Sequence, residues 1–105
     1  REGPNDAARH ARLGLMLAGL DRKEEAIAEG KRAVELLPES QDALDGPNIT
    51  LALARICTWT GETDQAVQLL DHSLNTTNGV TVPLLKLDPI WDPLRSDPRF
   101  QALID

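Results

Sequence analysis

With 105 residues the chain is expected to form a single domain. It contains 11 Lys and Arg and 17 Asp and Glu. The resulting formal charge of −6 argues against a surface that binds the phosphates of nucleic acids. The single cysteine, Cys57, excludes an internal disulfide framework, and no apolar run approaches the ~18 residues of a membrane span, so a reducing cytoplasm is expected and a membrane partner is not.

The first predicted helix runs from about Asp6 to Gly19. Leu13, Leu17 and Leu20 recur along it at helical spacing. Gly14 is expected on the same side of the helix. The pattern therefore predicts an apolar stripe with one gap, where a neighbouring helix can approach closely.

A second helix should pack against this stripe. Asp21 is its predicted N-cap, and Glu24 and Glu25 favour the positive end of the helix dipole in its first turn. Pro38 should end the helix, because proline cannot continue the hydrogen-bond ladder. Its small and apolar residues should form the buried face: Ala26, Ile27, Gly30, Ala33, Val34 and Leu37.

A second pair of helices follows the same logic. One is predicted from Pro47 to Thr60 and the next from Thr63 to Asn75, with Gly61 turning the chain between them. The chain up to residue 75 is thus interpreted as four helices in two hairpins.

The stretch "LDPIWDPLRSDP", residues 87–98, contains three Asp-Pro pairs. An Asp side chain can accept from backbone N–H groups of the following turn, and Pro suits the first position of a helix. After a helix that starts near Thr81 and breaks, short helical pieces are therefore predicted at about 89–91, 93–96 and 98–104. They carry apolar residues that could cover the last hairpin: Ile90, Trp91, Leu94, Phe100, Leu103 and Ile104. The alternative is a ligand site built from the same turns.

Two stretches of the chain share one spacing of small and apolar residues. The spacing is that of the pattern W-x2-L-G-x2-Y…A-x3-F…P. In the first stretch its positions are occupied by His10, Leu13, Gly14, Leu17, Ala26, Gly30, Ala33 and Pro38. The second carries in the equivalent places Thr50, Leu53, Ala54, Cys57, Gly61, Ala66, Leu70 and Ser73. This pattern resembles the tetratricopeptide repeat, although His10 and Gly30 replace its aromatic residues. Ala66 follows Ala26 by 40 residues rather than about 34, with the surplus in the polar stretch 39–47.

The resemblance implies an all-α fold, a right-handed α-solenoid of two hairpins. Repeat one would span about 7–38 and repeat two about 47–78, followed by a partial third helix and a C-terminal cap of short Asp-Pro-initiated helices over about 80–105. The "DGP" before the third helix and the ending "DPIWDPLRSDPRFQAL" look like the C-terminal repeat region of bacterial multidomain regulators, such as serine/threonine protein kinases and cyclase-like signalling proteins. A scaffold attached to a catalytic or DNA-binding part outside this sequence is therefore implied.

Catalytic groups are not clustered in the sequence. His10 and His72 lie in different repeats, without a second ligand or an acid at dyad spacing. Cys57 occupies a packing position and should be a buried, inert thiol. No Gly-rich phosphate loop, nucleophile elbow or zinc spacing occurs, so no enzyme activity, cofactor or metal is expected.

The leading functional prediction is an interaction module that binds a peptide or helix of another protein or of another domain. The resemblance implies a groove lined by the first helix of each repeat. Its positions would be Ala8, Ala11, Arg12, Leu15 and Gly19 in repeat one, and Asn48, Leu51, Ala52, Arg55 and Thr58 in repeat two, with Trp59 at the helix end.

Arg12 and Arg55 suggest a ligand that offers a carboxylate beside an apolar side chain. Arg55 is the only Lys or Arg between residues 41 and 80, which contain five acids. Tetratricopeptide repeats that bind the C-terminal carboxylates of chaperones need a basic residue and an Asn at the positions that Ala11 and Leu15 occupy here. Chaperone C-termini are therefore not expected as ligands. The alternative is a structural role, in which the segment ends a longer array or mediates self-association.

Overall fold

The computed structural model describes residues 4–37, 46–76 and 79–104, and every regular element within them is helical. This confirms the predicted all-α class. In chain order the elements are α1 (Pro4–Gly19), α2 (Lys23–Leu36), α3 (Gly46–Trp59), α4 (Thr63–Leu74), α5 (Val82–Leu87), a 3₁₀ helix (Pro89–Leu94) and α6 (Pro98–Ile104).

The first four helices form two hairpins. Helix α1 packs against α2, and α3 packs against α4, while α3 also contacts both helices of the first hairpin. Their bounds lie within two residues of the predicted ones. None of the described helices is both long enough and apolar enough to cross a membrane.

The buried face of α1 differs from the predicted stripe. Leu17 is buried, but Leu13 and Leu20 are 43% and 67% exposed. One residue advances a helix by about 100°, so Leu13 points well away from Gly14, which faces the neighbouring helices. The buried face consists mainly of small residues: Ala7, Ala11, Gly14, Leu17 and Ala18.

Close approach at two glycines explains why the small face is the buried one. A Cβ atom on Gly14 would lie 2.6 Å from Ile56 Cδ1 and 3.0 Å from the carbonyl oxygen of Ala26. A Cβ atom on Gly30 would lie 2.9 Å from the same Ile56 atom. Ile56 of α3 is fully buried and occupies the space that both glycines leave open. The close approach of α1 and α2 predicted from their small residues is thus seen at Gly14, whereas the space at Gly30 is occupied by α3.

The turn from α1 to α2 corrects the predicted cap. Helix α2 begins at Lys23, and its N-cap residue is Arg22, whose side chain makes no capping hydrogen bond. Asp21 instead has a φ of 63°, a left-handed conformation that Asp tolerates better than most residues. Glu24 and Glu25 do lie in the first turn. At the other end α2 stops at Leu36, and Pro38 lies outside the described residues.

The same turn recurs 40 residues later, between α3 and α4. Gly61 has a φ of 83° and corresponds to Asp21. In each turn the next backbone N–H donates to a carbonyl five residues earlier, as in a Schellman motif. These bonds join Arg22 N to Leu17 O and Glu62 N to Cys57 O, both at 2.9 Å. The two hairpins thus share one turn geometry, although only the second uses glycine.

The C-terminal segment belongs to the core. Trp91, Leu94 and Phe100 are at most 1% exposed and join one cluster with residues of the second hairpin. That cluster contains Leu53, Ala54, Cys57, Ala66, Leu70, Val80, Leu85, Trp91, Leu94 and Phe100. Ile90, Leu103 and Ile104 are half-buried against it. The predicted packing of the tail on the last hairpin is therefore confirmed.

Two of the three Asp-Pro pairs start a helix as predicted. Asp88 Oδ1 accepts from the N–H of Ile90 at 3.1 Å at the start of the 3₁₀ helix. Asp97 Oδ1 accepts from the N–H of Arg99 at 2.8 Å at the start of α6.

The middle Asp-Pro pair does not start a helix, so the separate piece predicted at 93–96 is wrong. Pro93 lies inside the 3₁₀ helix, whose φ values suit the proline ring. With three residues per turn, a 3₁₀ helix places Trp91 and Leu94 on the same side, where both are buried.

An ion-pair group ties α6 to the second hairpin. The Arg99 guanidinium contacts the carboxylate of Asp64 on α4 and donates to Asp97 Oδ2 at 2.9 Å. The hydrogen bonds from the Arg99 side chain and backbone hold the pKa of the Asp97 carboxyl below its usual value. Because all three groups are close to solvent, this contact positions the last helix more than it stabilises the fold.

Candidate functional site

An apolar pocket of about 700 Å³ lies between the C-terminal ends of α1 and α3 and the start of the 3₁₀ helix. We call it the Trp59 pocket. Its lining consists of Leu15, Ala18 and Gly19 from α1, Trp59 from α3, and Asp88, Pro89, Ile90 and Asp92 from the C-terminal segment.

Local sequence explains why the pocket is open. Helix α1 ends in Ala18, with only a methyl group, and Gly19, with no side chain, and both leave space beside Leu15. Trp59, the last residue of α3, is 51% exposed although it is the largest side chain of its helix. A solvent-exposed aromatic side chain next to aliphatic groups in a concave surface is typical of a ligand pocket.

Arg95 fixes the edge of the pocket that the C-terminal segment provides. Its Nη1 donates to the carbonyl of Leu85 at 3.1 Å, and its Nη2 donates to the carbonyl of Asp88 at 2.8 Å. Its Nε donates to Asp92 Oδ1 at 2.6 Å. One guanidinium therefore holds together the end of α5 and both carboxylate-bearing residues of the pocket, with the planar set of donors that only arginine has.

The charged groups of the pocket are acidic. Asp88 and Asp92 are its only ionisable lining residues among those that the structure describes. The described Lys and Arg side chains form ion pairs with several acids, but none does so with Asp88. The pocket thus combines an apolar surface with a negative edge.

The structure brings three of the predicted groove residues into this pocket, Leu15, Gly19 and Trp59. Arg12 and Asn48 are exposed, and Arg55 is partly exposed, but none of these lines the pocket. Leu51 is partly buried against the large core cluster.

Thr58, which was predicted to line the groove, is buried. Its side chain is 4% exposed, and its Oγ1 donates to the carbonyl of Ala54 at 2.8 Å. Ala11 and Ala52 are also buried, because the packing of α1 against α3 covers them.

Half of the pocket comes from residues predicted to form the C-terminal cap: Asp88, Pro89, Ile90 and Asp92. The Asp-Pro turns do cover the hairpin, and their outward-facing residues also line the pocket. The three-residue period of a 3₁₀ helix is the sequence signal that could have indicated an outward-facing surface here. It buries Trp91 and Leu94 and leaves the residues between them on the outer side of the segment.

The two histidines lie on different helices and make separate contacts. His10 Nδ1 contacts the carboxylate of Glu29 on α2, a partner that sequence spacing did not indicate. His72 lies on α4, where its Nε2 is 3.4 Å from Thr76 Oγ1. Within residues 4–37, 46–76 and 79–104, no group of three His, Cys, Asp or Glu side chains could hold a metal ion.

Cys57 is fully buried, as predicted, in the cluster that the tail completes. Burial raises the pKa of its thiol from 9.0 to about 11, and the nearby charge of Glu62 acts in the same direction. Its Sγ lies 3.7 Å from Gln65 Oε1. The thiol is therefore protonated and covered at neutral pH.

Native Cys57 is expected to react with a thiol reagent at least about 100-fold more slowly than a free cysteine at about pH 8, because two pKa units remove that much thiolate. The rate should rise as the pH approaches about 11. Stopped-flow labelling measures it, and the same chain in denaturant gives the reference rate. Native labelling at the denatured rate would contradict the buried position.

Comparison with protein-family models, with curated proteins and with solved structures finds no match for this chain.

Proposed function

We propose that this chain is a non-catalytic protein-interaction module of the tetratricopeptide-repeat type. It would bind a peptide or helix from a partner protein or from another domain of its parent protein. In this proposal the hairpins form a right-handed solenoid, and the module is a scaffold of a bacterial cytoplasmic regulator. No nucleic acid, membrane or cofactor takes part.

The repeated turn supports the repeat character. Both hairpins use the same hydrogen-bond pattern at an offset of 40 residues, although Asp21 stands in one and Gly61 in the other. Common geometry from different residues is typical of a degenerate internal repeat.

The observation that carries the binding function is the Trp59 pocket. It holds about 700 Å³, within the usual range for a ligand pocket, and Trp59 is half exposed at its wall. Tryptophan is strongly enriched among the residues that dominate binding energy in protein interfaces. A short apolar segment of a partner could bury Trp59 together with Leu15 and Ile90.

Selection from a random peptide library against the immobilised chain tests this function. Enriched peptides are expected to bind the parent chain, and Trp59→Ala should weaken them about tenfold or more. Leu87→Ala is the matched control, since Leu87 is 81% exposed and lies outside the pocket. Circular dichroism checks that both variants are folded. Failure to enrich any peptide, or equal binding to the Trp59→Ala variant, would contradict the proposal.

A structural or self-association role is the second candidate, and a specific observation favours it. Leu13 and Met16 of α1 and Leu20, which directly follows the helix, recur at helical spacing and are 43%, 65% and 67% exposed. Such a stripe is the kind of surface that a further repeat or a second copy covers. If this role holds, light scattering will show a mass that rises with concentration and falls back to the monomer in Met16→Lys.

A further inference from the structure

We infer that the Trp59 pocket selects a segment that carries a lysine or arginine beside an apolar side chain. This inference rests on the proposed binding function and names the chemistry of the partner. It comes from charge complementarity between the pocket edge and such a segment.

The carboxylate of Asp88 is the first element of this selectivity. Asp88 is a partly buried residue, and its Oδ1 accepts from the backbone N–H of Ile90. No Lys or Arg of the described residues forms an ion pair with it. It lines the pocket together with apolar side chains, and a cation placed between them and the carboxylate is screened by less water than one in open solvent. A ligand ammonium or guanidinium would supply the missing opposite charge.

Arg95 does not cancel the negative edge. Its three donor nitrogens point to the carbonyls of Leu85 and Asp88 and to the carboxylate of Asp92. The guanidinium pairs with the carboxylate of Asp92 only, so the negative charge of Asp88 remains at the pocket edge. The same hydrogen bonds hold the edge in place before a ligand arrives, which lowers the entropic cost of binding.

The apolar wall is the second element. Trp59 can accept a cation against its ring face, and tryptophan is the best of the aromatic side chains for this contact. Leu15 and Ile90 line the same pocket and suit an apolar neighbour of that cation.

The net charge of the whole chain also favours a basic ligand. A formal charge of −6 attracts basic segments and repels acidic ones at long range. The carboxylate-bearing ligand predicted from Arg12 and Arg55 is therefore not the one that this pocket favours, since neither arginine lines it.

Three synthetic peptides of about 12 residues test the inference. They are identical except at two positions beside a central leucine, which hold Lys, Gln or Glu. Binding to the full chain is measured by fluorescence anisotropy at low ionic strength and at about 500 mM salt, where exposed charge interactions are largely screened. The Lys peptide is expected to bind about tenfold more tightly than the Gln peptide at low salt, and the Glu peptide more weakly than either.

Asp88→Asn with Asp92→Asn removes both charges while each amide oxygen can still accept the existing hydrogen bonds. This variant should bind the Lys and Gln peptides equally. Asp97→Asn is the matched control, because Asp97 also follows the Asp-Pro pattern and pairs with an arginine but lies outside the pocket. It should keep most of the preference for Lys.

The outcomes separate the two proposals. If the Gln or Glu peptide binds as tightly as the Lys peptide and Trp59→Ala abolishes that binding, the pocket binds peptides but the charge selectivity is wrong. Equal loss of the Lys preference in Asp97→Asn and in the double variant would also overturn the selectivity, by assigning it to net charge. If no peptide binds, both the inference and the proposed function fail for this pocket.

Discussion

Replacing Trp91 by alanine is expected to lower the free energy of unfolding by about 3–5 kcal/mol, the usual effect of truncating a large buried aromatic side chain. Trp91 is 1% exposed and packs in the cluster that joins the tail to the second hairpin. A domain of this size is stable by only about 5–15 kcal/mol, so a large share of the molecules could lose the native structure. Urea denaturation followed by circular dichroism measures the change.

Leu87→Ala is the control for this experiment. Leu87 is 81% exposed and lies four residues before Trp91, so its loss should change stability by no more than about 0.5 kcal/mol. Deletion of residues 89–105 should have a larger effect than Trp91→Ala and is expected to unfold or aggregate the chain. A truncated chain that melts as a monomer at the parent temperature would contradict the assignment of the tail to the core.

Gly14→Ala is expected to destabilise the protein by about 1–3 kcal/mol, although alanine favours helices more than glycine does. The added Cβ would lie 2.6 Å from Ile56 Cδ1 and 3.0 Å from the carbonyl oxygen of Ala26. The isoleucine methyl can move, but the carbonyl belongs to the backbone of α2, so the hairpin must widen. Thermal and urea denaturation report the loss.

Gly19→Ala separates this packing effect from helix propensity. Gly19 is in the same helix, and a Cβ there meets no atom within 4 Å, so the substitution should be neutral or slightly stabilising. Ile56→Val should recover part of the Gly14→Ala loss, because it removes the atom at 2.6 Å. Equal effects of the two glycine substitutions would show that α1 and α2 do not approach as closely as described.

The positions of the helices were predictable because the chain marks their ends clearly. Gly61 needs a left-handed conformation that ends one helix, and Asp88 and Asp97 each cap the piece that follows. The apolar residues after Pro89 indicated a buried tail, since six of them occur within 15 positions and would otherwise face water. Local chemistry of this kind acts within a few residues and can be inferred without knowing the fold.

The orientation of α1 was not predictable from hydrophobicity. Leu13 and Leu20 are more apolar than Ala7 or Ala11, yet the alanines are buried, because α1 lies between two neighbours that leave little room. Which face is buried thus depends on partners that are distant in sequence. Asp21 was misassigned for a different, local reason, since an Asp before a helix suits a cap as well as a left-handed turn.

The pocket was only partly predictable. Leu15 and Trp59 followed from the resemblance to a repeat family, but the acidic edge depends on where the tail folds back. That path is set by the hydrogen bonds of Arg95 to two carbonyls, and backbone carbonyls carry no sequence signal.

The two faces of the 3₁₀ helix restrict how the length of this segment can change. Trp91 and Leu94 are buried, while Ile90 and Asp92 line the pocket. Each residue of a 3₁₀ helix advances the chain by about 120°, so inserting or deleting one residue would exchange the inward and outward positions. Such a change would expose the tryptophan and place a carboxylate against the core. Over evolutionary time this segment should therefore vary by substitution at fixed length.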